Sequence, residues 1–270
     1  MSIRAVVLDL DGTCLDDRQR LHPRIRETVN AVATRLPVIV ATGRMYVSAI
    51  PWVGLLGANQ PLVCYEGAVV RELPDAAESL GPVLRQELLG RDPAIRALRL
   101  ARARNWHFQG YVDEKLLSES LRPEAEHYAR IAGVPITLVD DLESLLAGGT
   151  PKAVCVVIDP EDAARCLQEM SAHLDGSARV TQSRTEYVEI VSPMVNKASA
   201  CEFVCARLGL TMKDAVAIGD APNDTEMLDA AGYAVAVSTA RADVIAHADA
   251  TCAPPQDAGV ADVLAALDLV

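Results

Sequence analysis

Residues 6–13 read Val6-Val7-Leu8-Asp9-Leu10-Asp11-Gly12-Thr13, an apolar run that breaks into two carboxylates spaced two apart, then a glycine and a threonine. The nearly continuous apolar stretch over residues 4–8 is the pattern of a strand buried on both faces. Asp-x-Asp-Gly-Thr marks the turn that ends it. Taken alone, such a turn can use its aspartate as a hydrogen-bond acceptor and its glycine for a positive φ, with no chemistry attached. Placed where a buried strand opens, it is also the outline of a metal and nucleophile site, provided that later strands bring complementary groups to the same end.

The sequence on the C-terminal side supplies such strands. Pro23 suits a first helical position, and Ile25, Val29, Val32 and Leu36 recur at helical spacing. Residues 37–41 form another apolar strand, closed by Thr42-Gly43-Arg44. A shorter helical segment interrupted by Pro51 precedes a third strand over 62–65 and a turn at Glu66-Gly67. This alternation predicts an α/β fold, a Rossmann-like parallel sheet with right-handed crossovers and helices on both faces. Near Pro74 the texture changes. Leu80, Leu84 and Leu88, and then Ala163, Leu167 and Leu174, have helical spacing, with candidate strands at 106–111 and 153–158. We read residues 75–185 as an inserted α+β domain. The parallel rhythm is expected to resume with a strand at 187–191, a helix at 197–208, a strand at 215–218, a helix at 224–231, a strand at 233–237 and a last helix at 260–267. Residues 1–74 and 186–270 then form one discontinuous core.

Composition narrows the classes. The chain has 270 residues, 50% hydrophobic and 23% charged, which suits a soluble globular protein. No stretch reaches the roughly 18 apolar residues of a membrane span. An early strand carrying Asp9 stands where a secretory signal would have its apolar region, so a cytoplasmic protein without membrane partners is expected. A net charge of −12 argues against nucleic acid as a partner, because phosphate backbones are bound by clustered Lys and Arg. It leaves room for a small phosphorylated ligand. The cysteines Cys14, Cys64, Cys155, Cys166, Cys201, Cys205 and Cys252 are scattered among apolar residues with no C-x-x-C pair, and are expected to be free, buried thiols.

In an open α/β sheet, ligands bind beyond the carboxyl ends of the strands. Four expected strand ends carry groups that belong together: Asp9, Asp11, Gly12 and Thr13; then Thr42, Gly43 and Arg44; then Lys197; then Asp220, Asn223 and Asp224. Converging carboxylates raise one another's pKa unless a cation intervenes, and an oxygen-rich set with retained waters suits Mg²⁺. Lys197 and the amides of helix first turns would offset the charge of an incoming phosphate. Singly, Thr42-Gly43-Arg44 reads as a plain connection, Lys197 as a solvated helix start and Asp224 as a helix cap. Their order at successive strand ends is what points to chemistry.

These residues resemble the haloacid-dehalogenase-like phosphohydrolase superfamily, in particular its Cof-type, or type IIB, branch. Asp9-Leu10-Asp11-Gly12-Thr13 matches the first motif, Thr42-Gly43-Arg44 the second, Lys197 the third, and Gly219-Asp220 with Asn223-Asp224 the fourth. The large insert lies where that branch carries its cap. The resemblance implies that Asp9 attacks phosphorus to form an aspartyl-phosphate, and that Asp11 protonates the leaving oxygen and then activates water. It further implies that Thr42 holds the phosphoryl oxygens and that Lys197 screens charge. Mg²⁺ would be held by Asp9, the main-chain carbonyl of Asp11, Asp220 and Asp224, with Asn223 near Lys197 and the phosphate. Closure of the cap over the crevice would exclude water and recognise the rest of the substrate.

The implied activity is hydrolysis of a small phosphorylated metabolite, a sugar phosphate or a phosphorylated cofactor precursor, by a monomer or homodimer. Family members commonly have Asn-Gly where this chain has Glu66-Gly67, which places an extra negative charge near the cleft and offers acceptors to substrate hydroxyls or amines. The late strand ends in Ser238-Thr239-Ala240 instead of Gly-Asn-Ala, and Ala221 replaces a small polar residue or Asn. A phosphomutase of the phosphomannomutase type is the enzymatic alternative. It would need a basic patch in the insert, for which Arg96, Arg99, Arg102 and Arg104 are candidates. A non-catalytic metabolite sensor or scaffold is the other alternative, although it would usually lack Asp9 or Asp11. In the insert, Trp106, His107, Phe108 and Tyr111 are expected to pack a core, with stacking on a substrate ring as the other use.

Overall fold

The computed structural model describes residues 3–75 and 80–270. The chain divides into two units, Met1–Leu84 with Asn196–Val270, and Arg85–Val195. The expected start of the insert, at 75, adjoins residues 76–79, which lie outside the described residues.

The first unit begins with β1 (Ala5–Leu8), in which every residue is buried. Helix α1 (Pro23–Ala33) follows; Pro23 starts it, the His22 side chain accepts a hydrogen bond from Arg24 N, and Ile25, Val29 and Val32 form its buried stripe. Strand β2 (Val38–Val40) pairs parallel to β1, with Leu8 opposite Val40. Helix α2 (Tyr46–Leu56) carries Pro51 within it and ends at Gly57 in the left-handed region. Strand β3 (Leu62–Cys64) reaches β2 only through a parallel bridge, Ala41 to Val63. Instead of extending the parallel sheet, β3 joins an antiparallel partner, β4 (Val69–Arg71), and the sheet order continues to β5 (Val83–Gln86). The helical spacing of Leu80, Leu84 and Leu88 is therefore overruled. Leu84 lies in a strand, because an edge of β4 was available to its backbone and three leucines at period four cannot by themselves nucleate a helix.

The second unit runs through α3 (Arg91–Arg104), β6 (His107–Val112), β7 (Lys115–Ser118), α4 (Pro123–Ala132), β8 (Ile136–Leu138), α5 (Leu142–Leu145), β9 (Ala153–Val156), α6 (Pro160–Leu174), β10 (Arg179–Arg184) and β11 (Tyr187–Val191). Its six strands take the order β10-β11-β9-β6-β7-β8. Strand β11 was expected to resume the parallel core. It pairs antiparallel with β9 and β10 instead, Val188 opposite Cys155 and Gln182. An apolar strand is satisfied by any buried sheet, so its pattern states burial and not partner.

One face of this sheet presents Phe108, Leu117, Cys155, Val188 and Ile190 to the alanine- and leucine-rich faces of α3 and α6. Trp106 joins that core, and all four aromatic-strand candidates are buried: Trp106, His107, Phe108 and Tyr111. The other face is polar yet closed. His107 Nε2 meets Gln109 Oε1 at 3.2 Å, Gln109 Nε2 donates to Tyr111 Oη at 3.1 Å, and Tyr111 Oη donates to Tyr128 Oη of α4 at 2.6 Å. Lys152 and Glu189 form a buried ion pair of 2.6 Å on the same sheet. Four of the five arginines of α3, the ones proposed as a basic patch, are engaged within the unit. Arg99 and Arg102 pair with Glu143, Arg102 with Glu119, Arg104 with Glu169, and Arg96 donates to Ser177 and His173.

The chain re-enters the first unit through α7 (Lys197–Arg207), β12 (Ala215–Gly219), a short turn at Pro222–Asp224, α8 (Thr225–Ala230), β13 (Tyr233–Val237), α9 (Ala242–Ile245), β14 (Ala250–Cys252) and α10 (Gly259–Ala266). The parallel sheet has the order β14-β13-β12-β1-β2. Ala5 and Val7 of β1 and Ala215 and Ala217 of β12 pack with Ala200, Cys201, Val204 and Cys205 of α7 and Met227 and Leu228 of α8. The alternate residues Val6, Leu8, Val216 and Ile218 point the opposite way and are fully buried too, while α1 and α10 pack on each other and on β2 and β14. Each Val or Leu so enclosed contributes roughly 1.5–3 kcal/mol. The seven cysteines are free and buried, as expected; Cys201 and Cys205 line the core. No helix of the described residues is long and apolar enough to cross a membrane.

Candidate active site

Strands β1 and β12 lie side by side and parallel, with Leu8 opposite Ile218. Their carboxyl ends therefore leave the sheet together, and the backbone bond from Asp9 N to Ile218 O, 3.1 Å, carries the pairing one step further. Asp9 and Asp220 come to one place from positions more than two hundred residues apart for this reason. Asp224 joins them because the turn Pro222–Asp224 folds back: its Oδ2 accepts from Asp220 N and Ala221 N, both at 3.0 Å. Carboxylate oxygens of Asp9, Asp220 and Asp224 lie within 4.8 Å of one another.

Lys197 stands in the middle of this set. The side chain of Asn196 caps α7 by accepting from Ser199 N at 2.8 Å, which puts Lys197 in the first turn. Its Nζ donates to Asp9 Oδ1 and Asp224 Oδ1, each at 2.6 Å, with 1% of the side chain exposed. Burial alone would depress the ammonium, but Asp224, Asp9 and Glu66 outweigh it and hold its pKa well above the ordinary lysine value. One ammonium cannot balance three carboxylates. Burial and the charges of Asp224 and Asp220 push the Asp9 carboxyl up against the pull of Lys197. Burial and Asp224 push Asp220 up to about 7, opposed by the Thr13 hydrogen bond and Lys197.

The donor set fits a hard cation. Thr13 Oγ1 donates to Asp220 Oδ1 at 2.7 Å and Lys197 takes Asp9 Oδ1, while the second oxygen of Asp9 and of Asp220 accepts no hydrogen bond from a described residue. Oxygen ligands carrying surplus negative charge in a buried place are what a small divalent ion neutralises. Gly12 keeps the gap narrow. Its φ is +84°, and a Cβ there would stand 2.2 Å from Asp220 Oδ2.

The remaining expected residues surround this cluster in different ways. Thr42 is buried after β2, its backbone N bound to Val63 O at 2.9 Å, and its hydroxyl accepts from Arg44 N at 3.1 Å across Gly43. Asp11 takes a different partner from the acidic trio. Its carboxylate receives Arg44 Nε on Oδ2 and Arg44 Nη2 on Oδ1, both at 2.6 Å, a bidentate pair with the guanidinium 7% exposed. Arg44 thus meets a protein carboxylate. Glu66 is 3% exposed and accepts from Asn223 Nδ2 at 2.7 Å, so these two expected substrate contacts bind each other. Tyr65, Glu66 and Gly67 all have positive φ, 52°, 63° and 98°. A left-handed glutamate is uncommon, and such conformations collect where a site over-determines the backbone. Gly67 is needed on other grounds too: a Cβ would lie 2.4 Å from Asn196 O, against the cap that sets Lys197.

Thr13 as a partner of Asp220 was visible in the first motif but not assigned a role. Gln19, bound to both Asp11 and Arg44, had no sequence signal. Its left-handed φ of 58° is apparent only in the fold.

Known proteins share this arrangement of chain. A phosphoglycolate phosphatase of Archaeoglobus fulgidus is 26% identical over 269 residues, covering 99% of this chain and 98% of its own. An HMP-PP phosphatase of Serratia proteamaculans is 29% identical over 243 residues, covering 88% and 84%. The crystal structure of TM0651 from Thermotoga maritima superposes with a TM-score of 0.81 at 28% identity, covering 98% of this chain and 97% of that one. The model of the haloacid dehalogenase-like hydrolases matches residues 6–264, from the first valine of the opening motif to within α10, and the chain belongs to that family.

Proposed function

We propose that this protein is a Mg²⁺-dependent phosphomonoesterase that hydrolyses a small phosphorylated metabolite through an aspartyl-phosphate on Asp9. The observation that carries the reading is Asp9 itself. It is 4% exposed, held through one oxygen by Lys197, and set beside Asp220 and Asp224 with the other oxygen uncommitted. A carboxylate is a weak nucleophile toward a phosphate anion, so its surroundings must remove repulsion and fix direction.

In the proposed reaction the uncommitted Asp9 oxygen forms a bond to phosphorus while the ester P–O bond breaks, and the leaving oxygen takes a proton from Asp11. Asp11 then takes a proton from water, whose oxygen bonds to phosphorus as the Asp9–phosphorus bond breaks, releasing inorganic phosphate. Lys197 keeps Asp9 and Asp224 in place and offsets phosphoryl charge, and the Thr42 hydroxyl donates to a phosphoryl oxygen. Asp9, Asp220 and the Asp11 carbonyl, supported by Asp224, would hold Mg²⁺, which when bound supplies positive charge against the phosphate oxygens. Glu66 and Asn223 brace the Lys197 side of the site.

The names of the relatives, for phosphoglycolate and for HMP-PP, support a small phosphorylated substrate and differ from each other in its organic part. We assign the choice of organic part to the second unit, Arg85–Val195, as a cap. Pairing of Arg96, Arg99, Arg102 and Arg104 inside that unit supports a hydrolase over a mutase, which would need free cations for a second phosphate. The test is phosphate release from a panel of sugar phosphates, phosphoglycolate, nucleotides, flavin precursors and pyridoxal phosphate, with Mg²⁺ and with EDTA. Release should require Mg²⁺ and vanish in Asp9→Asn; an Asp9→Asn protein as active as the parent would refute the reading.

A further inference from the structure

Glu66 stands where the groups assigned to the phosphate meet. Its backbone N donates to Thr42 O at 3.2 Å, and Tyr65 N before it donates to Arg44 O at 2.9 Å, so the turn after β3 is fastened to the segment that follows β2. Its side chain accepts from Asn223 Nδ2 at 2.7 Å, in the turn that carries Asp224. Its charge also reaches Lys197, whose ammonium it helps to hold. That attraction is mutual, so Lys197 and the Asn223 donor both favour an ionised Glu66. At 3% exposure the carboxylate is little screened by solvent.

The backbone accepts a cost to keep a glutamate here. Its φ of 63° is a conformation that asparagine and glycine enter more easily. A buried carboxylate kept where a neutral residue would strain the chain less is a sign of use. The nearby cations are already matched by protein carboxylates: Lys197 Nζ bonds Asp9 and Asp224, and Arg44 grips Asp11 through two hydrogen bonds. A second anion, on the organic part of a phosphate ester, would find those two cations committed and would feel the field of Glu66.

We infer that Glu66 acts as a charge filter, making the site prefer phosphate esters whose organic part is a neutral alcohol or a cationic amine over those that carry a carboxylate or a further phosphate. The inference deepens the proposed function and rests on it for where the phosphate binds. It adds a selection by charge, made in the first unit, to the recognition assigned to the second. At an effective dielectric constant of about 20, unit charges about 10 Å apart change an equilibrium roughly tenfold.

The experiment compares full-length wild type and Glu66→Gln, with Mg²⁺, on O-phosphoethanolamine, 2-hydroxyethyl phosphate and phosphoglycolate, esters of similar size whose organic parts are cationic, neutral and anionic. Glutamine keeps an oxygen to accept from Asn223 and removes only the charge. Calorimetric binding of 2-aminoethylphosphonate, 2-hydroxyethylphosphonate and phosphonoacetate gives a second readout that needs no turnover. In wild type, kcat/KM and affinity should fall in the order cationic, neutral, anionic, with the first favoured over the last by at least about tenfold. In Glu66→Gln that ratio should shrink about tenfold. Glu66→Asn, which suits the left-handed backbone, takes its place if Glu66→Gln does not fold. No order in wild type, a preference for phosphoglycolate, or an order unchanged when the charge is removed would overturn the inference. Phosphate release without a charge order sinks the inference alone. A wild type that releases no phosphate from any ester of the wider panel, yet binds the phosphonates in this order, would refute the proposed function and leave the charge preference standing.

Discussion

Lys197→Met keeps an unbranched apolar stem and removes only the ammonium that lies 2.6 Å from both Asp9 and Asp224. The three side chains are 1%, 6% and 0% exposed, so water cannot take the place of the missing charge. Breaking a buried ion pair by deleting one partner costs about 3–5 kcal/mol. At roughly 2–4 °C per kcal/mol for a domain of 150–250 residues, melting should fall by about 6–20 °C. The pH dependence has a definite sign. Lys197, with its pKa raised, stabilises the fold below the unfolded lysine value and loses that effect only as pH rises past the folded one, so its contribution is flat between about pH 5 and 8. The carboxyls run the other way. Asp9 is raised and Asp220 stands at about 7, so between about pH 4 and 7 the folded state holds protons that the unfolded state has released. Stability of the metal-free protein therefore falls as pH rises through that window. Without Lys197 the carboxyls lose the partner that lowers them, and the gap to wild type should widen from about pH 5 to about pH 8. Urea unfolding followed by circular dichroism in EDTA measures this directly. Adding Mg²⁺ to 100 times its Kd should return about 2.7 kcal/mol to either protein that binds it. A variant as stable as wild type near pH 8 in EDTA, or a gap that narrows with rising pH, would refute the reasoning.

Two other substitutions probe separate features. Gly12→Ala would force a side chain into the φ +84° conformation, at about 1–2 kcal/mol, and drive a methyl group against Asp220 Oδ2. Calorimetric Mg²⁺ affinity should drop about tenfold, the effect expected when the support of a ligand is disturbed, and unchanged affinity would count against Asp220 as a ligand. In the second unit, Lys152→Met should destabilise by about 3–5 kcal/mol while Lys152→Met with Glu189→Leu recovers most of it, because the buried pair is then replaced on both sides. A chemical-denaturation double-mutant cycle with no coupling between the two positions would show that the pair does not act as one.

Much of the site was legible because its motifs are local. Asp9, Asp11 and Thr13 sit within five residues, and Asp220 through Asp224 within another five. Each group is tied to a strand whose apolar pattern announces it. The polar pairings across motifs were not legible. Residue types alone name no partner: Arg44 grips Asp11, and Glu66 accepts from Asn223. Gln19 carried no signal at all, since one glutamine among polar loop residues is ordinary until its φ and its partners are known.

The sequence by itself determined that buried strands alternate with helices, that four sets of polar groups stand at strand ends, and that the thiols are apolar filling. Periodicity and turn chemistry act over a few residues, so they survive without the rest of the chain. Only the tertiary structure decided that Tyr187–Val191 pairs antiparallel with Ala153–Val156, that Leu84 extends in a strand, and which carboxylate each cation meets. Those choices depend on which backbone edges and charges are brought within a few ångströms by the packing of distant segments, and a hydrophobic pattern records that a residue is covered without recording by what.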